Sequence, residues 1–207
     1  RPSVTGLHSV RDYDLEVLAE FIDWRPFFQA WELIGRFPQI LDDPKCGEAA
    51  RHLYEDALEM LEEITRGRWI SANAVFGIWP ANSIGDDICL YADESLEAPV
   101  ARFSMLRQQG QWKNEKPNLA LSDFIAPRSA GYPDYLGAFV VSCGSGVEER
   151  VGQFEAKNDD YRAILLKSLA DRLAEAFAEY LHQQVRLKWW GYASDETFKS
   201  DQLIAGK

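Results

Sequence analysis

The chain has 207 residues, 46% of them hydrophobic and 27% charged, and its 22 basic and 33 acidic side chains leave a net charge of −11. An apolar share of that size supports a packed core and excludes a disordered or fibrous chain, and no apolar run approaches the length of a membrane span. So acidic a surface repels phosphate backbones and anionic lipid, which argues against nucleic acid or membrane as the main partner.

Residues 1–20 are mixed and weakly patterned, and read as an extended N-terminal arm. In Phe21-Ile22-Asp23-Trp24-Arg25-Pro26-Phe27-Phe28-Gln29-Ala30-Trp31, five aromatic rings surround one carboxylate. Asp23 there suits an N-cap or turn ahead of a short helix starting near Pro26, with the rings as core; it also suits an aromatic-walled site for a cationic or amide group. Asp43 before Pro44 predicts a helix start. Ala50, Leu53, Tyr54, Ala57, Leu58, Leu61 and Ile64 then recur at helical spacing, with Gly67 at the expected end.

From about Ala74 to Cys143 the period changes. Val75 to Trp79 (ending at Pro80), Ile88 to Tyr91, Val100 to Leu106 and Gly137 to Ser142 read as strands. Asn82 and Gly85 are expected in turn geometry, and connections this short predict antiparallel hairpins. Gly144-Ser145-Gly146 lacks the endings of a phosphate loop and reads as a flexible loop. Asp159 or Asp160 can cap the longest helix, whose stripe runs from Ile164, Leu165 and Leu169 through Leu173, Ala176, Phe177, Tyr180 and Leu181 to Val185. With no Ser/Gly/Pro-rich linker and no repeat, residues 1–207 read as one α+β domain.

Cys46, Cys89 and Cys143 are odd in number and dispersed, the usage of a reducing compartment, so a cytoplasmic address is expected. His8, His52 and His182 are scattered too, and no spacing pairs two ligands, so no metal is expected. Asp86 and Asp87 are too close along a strand to act as an acid/base couple, since neighbours point to opposite faces. On the long helix, Ala170, Ala174 and Ala178 allow close approach, Asp171 and Glu175 lie one turn apart, and Arg172 stands three residues before Glu175. These contacts serve a plain helix pair or a carboxylate aimed at a ligand ammonium.

Taken together, Ile22-Asp23-Trp24-x-Pro26-Phe27-Phe28, Pro80-Ala81-Asn82-x-x-Gly85-Asp86-Asp87-Ile88, Leu106-Arg107-Gln108-Gln109, Leu121-Ser122-Asp123-Phe124-Ile125-Ala126-Pro127, Tyr135-Leu136-Gly137-Ala138-Phe139, and Leu169 to His182 followed by Trp190-Gly191-Tyr192 resemble one family. It is the S-adenosylmethionine-binding activation domain of cobalamin-dependent methionine synthase. The resemblance implies an α+β fold with a bent antiparallel sheet and flanking helices, including a long helix in the C-terminal half. It implies a module of a cytoplasmic methyltransferase of methionine biosynthesis that is not catalytic alone. That module presents S-adenosylmethionine for reductive methylation of cob(II)alamin to methylcobalamin, with cobalamin held mainly by another domain. The implied partners are the cobalamin-binding domain and flavodoxin or an equivalent reductase. Residue by residue, Asp23 matches the aspartate that contacts S-adenosylmethionine, Glu175 the long-helix glutamate near the ligand, and Arg172 a partner orienting that glutamate.

The family pattern continues into an Arg-Pro-Ala-Pro-Gly-Tyr-Pro stretch that supplies an arginine for the ligand carboxylate and backbone contacts to the adenine. This sequence ends at Lys207, before it, and Gly131-Tyr132-Pro133 lies elsewhere. The expectation is a domain short of its C-terminal part, with incomplete carboxylate recognition. The alternative from another class is a non-catalytic docking module that contacts a cobalamin domain or redox partner without binding the small ligand. Docking an acidic reductase calls for a local cationic patch, for which Arg102, Arg107, Arg162, Lys167, Arg186 and Lys188 are candidates, with scattered solubilising charge as the plainer reading.

Overall fold

A computed structural model of the chain describes residues 1–111 and 116–195. The described residues form two compact units. The sheet unit comprises Arg1–His8, Phe76–Phe139 and Lys188–Tyr192; the helical unit comprises Ser9–Val75, Val140–Leu187 and the described residues from Ala193 on. The fold is α+β, as expected from the switch in hydrophobic period. Strands β1 (Gly6–Tyr13), β2 (Ser71–Ile84), β3 (Asp87–Tyr91) and β4 (Pro99–Ser104) are hydrogen-bonded in that order, and β5 (Asp134–Ser145) pairs with β2. No helix among the described residues is long and apolar enough to cross a membrane.

In the sheet unit, β2 and β3 form the expected antiparallel hairpin, from Ala81 opposite Leu90 to Ile84 opposite Asp87, and Gly85 turns it at φ +60°. β4 continues antiparallel on β3, Asp87 facing Ser104, with a bulge at Leu90/Tyr91. Two expectations change here. β2 does not stop at Pro80 but runs on to Ile84; its pairing with β3 begins only at Ala81, so the missing proline N–H breaks no rung of that ladder. Asn82 is not a turn residue. It is fully buried within β2, and its Nδ2 donates to the carbonyls of Ala126 at 3.0 Å and Tyr132 at 3.1 Å, while Ser83 Oγ donates to the Ile125 carbonyl at 3.0 Å. The 120–132 segment is thereby stitched to the hairpin.

In the helical unit, residues expected to form an extended arm form the later part of β1 and helix α1 (Leu15–Ala19), capped by Asp14. Helix α2 (Trp24–Ala30) follows, two residues earlier than Pro26 suggests. Helix α3 (Gly47–Gly67) starts later than expected, because Asp43 spends its carboxylate on the N–H groups of Lys45 and Cys46, closing a turn before the helix. Ala50, Leu53, Ala57, Met60, Leu61 and Ile64 face the core, and Leu58 is exposed. Gly144-Ser145-Gly146 is not a flexible loop: Gly144 and Ser145 end β5, and Gly146 caps helix α4 (Val147–Glu155). Helix α5 (Asp160–Gln184) is capped by Asp159, as expected, and α1, α2, α3 and α4 all pack on it. Its buried stripe includes Leu166, Leu169, Leu173, Phe177 and Leu181, each under 1% exposed, whereas Ile164 points outward.

Candidate functional site

The three residues expected to bind a ligand all fall in the helical unit. Asp23 is the N-cap of α2: its extended backbone (φ −78°, ψ 110°) turns the side chain back, and Oδ1 accepts the Arg25 N–H at 3.0 Å. Among the described residues Oδ2 accepts no hydrogen bond. The carboxylate is therefore fixed in direction with one oxygen uncommitted. Of the five rings around it, Trp24, Phe27 and Phe28 are core, with Trp24 edge-on to Tyr54 at 4.8 Å and Phe28 stacked on Phe37 at 6.0 Å. Phe21 and Trp31 instead meet α5, through Tyr180 at 5.5 Å and Tyr161 at 5.4 Å.

Those two ring contacts lay the Phe21–Trp31 segment along α5, one end at Tyr180 and the other at Tyr161. Arg172 and Glu175 sit between these points on the same helix. Arg172 Nη1 donates to Glu175 Oε2 at 2.5 Å, the arginine side chain 19% exposed and the glutamate 43%. A packed guanidinium thus orients a solvent-facing carboxylate, the arrangement the spacing suggested. The structure brings the elements bearing Asp23, Arg172 and Glu175 together; among the described residues no hydrogen bond or ion pair joins Asp23 to the other two. Two carboxylates against one guanidinium leave net negative charge, which suits a cation.

Sequence reasoning passed over Tyr13. Its hydroxyl donates to the Tyr180 hydroxyl, and its ring stacks at 5.5 Å on Phe177. Burial raises the Tyr180 phenol above its ordinary value. Nothing in the spacing of two tyrosines so distant in sequence could have signalled the pair.

In the sheet unit, three of the motifs converge on one guanidinium. Arg107 donates to Asp86 Oδ1 through Nε at 3.1 Å and Nη2 at 2.5 Å, to Asp123 through Nη1 at 2.7 Å and Nη2 at 2.8 Å, and to the Asn118 carbonyl at 2.7 Å. Arg107, with help from the Ala120 N–H, lowers the Asp123 carboxyl to about 2. Arg102 pairs with Asp87 and holds it below the ordinary carboxylate value. Asp86 and Asp87 therefore serve different arginines. Arg102 (with Asp87), Arg107 (with Asp86 and Asp123), Arg162 (with Glu63) and Lys167 (with Glu155) each pair with acidic side chains.

Residues 14–207 match the family pattern described as "Vitamin B12 dependent methionine synthase, activation domain". A solved structure described as the MetH reactivation domain bound to AdoHcy superposes with a TM-score of 0.95 at 42% identity, over 99% of this chain. This chain spans 62% of that structure's length. The chain belongs to the activation-domain family of vitamin B12 dependent methionine synthases.

Proposed function

We propose that this chain binds S-adenosylmethionine and presents it to a cobalamin cofactor held by another domain of the parent enzyme. The observation that carries the reading is the likeness, along nearly the whole chain, to a reactivation domain that holds AdoHcy. The residues fit such a ligand: Asp23 keeps one carboxylate oxygen uncommitted, and Glu175 is held toward solvent by Arg172. Bound S-adenosylmethionine supplies an electrophilic methyl group for the reductive methylation of cob(II)alamin to methylcobalamin, the electron coming from flavodoxin or an equivalent reductase.

The chain's own contribution is placement. Asp23 and Glu175 attract and orient the cationic end of the ligand, and Arg172 limits the swing of Glu175. Holding a reacting group in line is worth several powers of ten in rate without any proton or electron passing through the protein. The domain is accordingly a positioning module in a cytoplasmic methyltransferase, with the cobalamin-binding domain and the reductase as its partners. Calorimetry with S-adenosylmethionine on this chain and on Asp23→Ala tests the reading. Loss of one charge-assisted contact should weaken binding by about tenfold to a hundredfold. Undetectable binding by the unaltered chain would overturn it and leave the docking-module reading.

A further inference from the structure

We infer that Tyr180 is the positioning residue for Asp23, an assignment that rests on the reading of Asp23 as a ligand-binding carboxylate. Helix α1 is only five residues long, too short to hold its own shape, so the ends it presents depend on what they pack against. Leu15 and Leu18 bury its middle. Both of its flanks meet one side chain. Tyr13, just before the Asp14 cap, gives its hydroxyl to Tyr180 and lies 4.9 Å from that ring; Phe21, two residues past the end of α1, meets the same ring edge-on at 5.5 Å. The segment from Tyr13 to Phe21 is closed on Tyr180 like a loop on a peg.

Asp23 is two residues beyond the second of these contacts, and two residues of chain reach at most about 7 Å. Because Tyr180 stands on α5, the helix that carries Arg172 and Glu175, the peg fixes the α2 cap relative to those two side chains. Phe177, one turn back on α5, backs the Tyr13 ring and keeps the hydroxyl pair aligned. The two halves of the anchor can be removed separately. Tyr180→Phe deletes the hydroxyl bond and retains the edge contact with Phe21; Tyr180→Leu deletes both.

Two readouts test the assignment. The first needs no ligand: amide exchange at Arg25, whose N–H bonds to Asp23 Oδ1, compared with that at Leu169 and Leu173 in the α5 core. Loss of a hydrogen bond's worth of ordering predicts that Tyr180→Leu speeds Arg25 exchange about tenfold more than the core amides, with Tyr180→Phe in between. The second is S-adenosylmethionine affinity in a double-mutant cycle. Tyr180→Leu should weaken binding in the wild-type background and add nothing in Asp23→Ala. Equal acceleration of all three amides, or additive losses in the cycle, would overturn the assignment. Unchanged binding by Asp23→Ala sinks the ligand reading instead, and Arg25 exchange still decides whether Tyr180 sets the cap.

Discussion

Asp23 commits one carboxylate oxygen to closing the first turn of α2, and the other accepts no hydrogen bond among the described residues. Glu175 has no such structural duty beyond its bond to Arg172, so its removal is the cleaner probe of ligand charge. AdoHcy and S-adenosylmethionine share an ammonium and differ in the positive sulfonium. If Glu175 meets the ammonium, Glu175→Gln weakens both ligands by the same factor; a larger loss for S-adenosylmethionine would place it at the sulfonium. Calorimetry with the pair of ligands reads this directly. Away from the site, Asp123 makes a prediction of its own. Its carboxyl is lowered from 3.8 to about 2 by Arg107, so its contribution to stability is fully present above about pH 4 and is lost as pH falls toward 2. In urea denaturation the advantage of the wild type over Asp123→Asn should therefore be constant above pH 4 and vanish below about 2.

At the scale of elements, two junctions decide how strands hand over to helices. Gly146 lies at φ +94° between β5 and α4, and a Cβ there would stand 2.1 Å from the Trp69 carbonyl, so both conformation and space exclude any other residue. Gly146→Ala should cost about 3 kcal/mol or more in thermal or denaturant unfolding. At the end of α3 it is Arg68, not Gly67, that takes the left-handed conformation, at φ 46°; Gly67 is needed because the Trp69 indole covers it. Arg68→Gly should stabilise the chain by up to about 1 kcal/mol, since the strain of a Cβ in that region is removed. These junctions mark where the sequence was hard to read. Periodicity sufficed for α3, α5 and the β2–β3 hairpin, because each is long or closed by a short turn. It failed for α1 and α4, which are short and placed by tertiary packing, and for Asn82, whose turn-forming habit was overridden by burial. Asp23, Arg172 and Glu175 could be named from motif and spacing. Tyr13 and Tyr180 could not, since a contact across 167 positions leaves no local trace.

Over the whole molecule the acidic charge is unevenly shared. Among the described residues the sheet unit carries six basic and seven acidic side chains, the helical unit 13 and 23. Self-repulsion of that size opposes compaction and is screened by salt. Raising ionic strength from about 0.01 to about 0.5 M should slow amide exchange in α3 and α5 and leave β3 and β4 nearly unchanged; equal slowing in both units would show that the asymmetry has no energetic effect. The same excess of carboxylates surrounds the elements bearing Asp23 and Glu175, so affinity for a cationic ligand should decline with salt faster than affinity for AdoHcy. The cap bond from Asp23 to Arg25 carries a last implication, for sequence drift across the family. A relative that abandoned its methyl donor would still be selected to keep a capping side chain there, and Asn, Ser or Thr would serve α2 about as well as Asp. A capping residue of any of these types thus reports a stable fold, and it is the charge at position 23 and the glutamate on α5, which no helix requires, whose loss or survival in a lineage should track the loss or survival of the ligand.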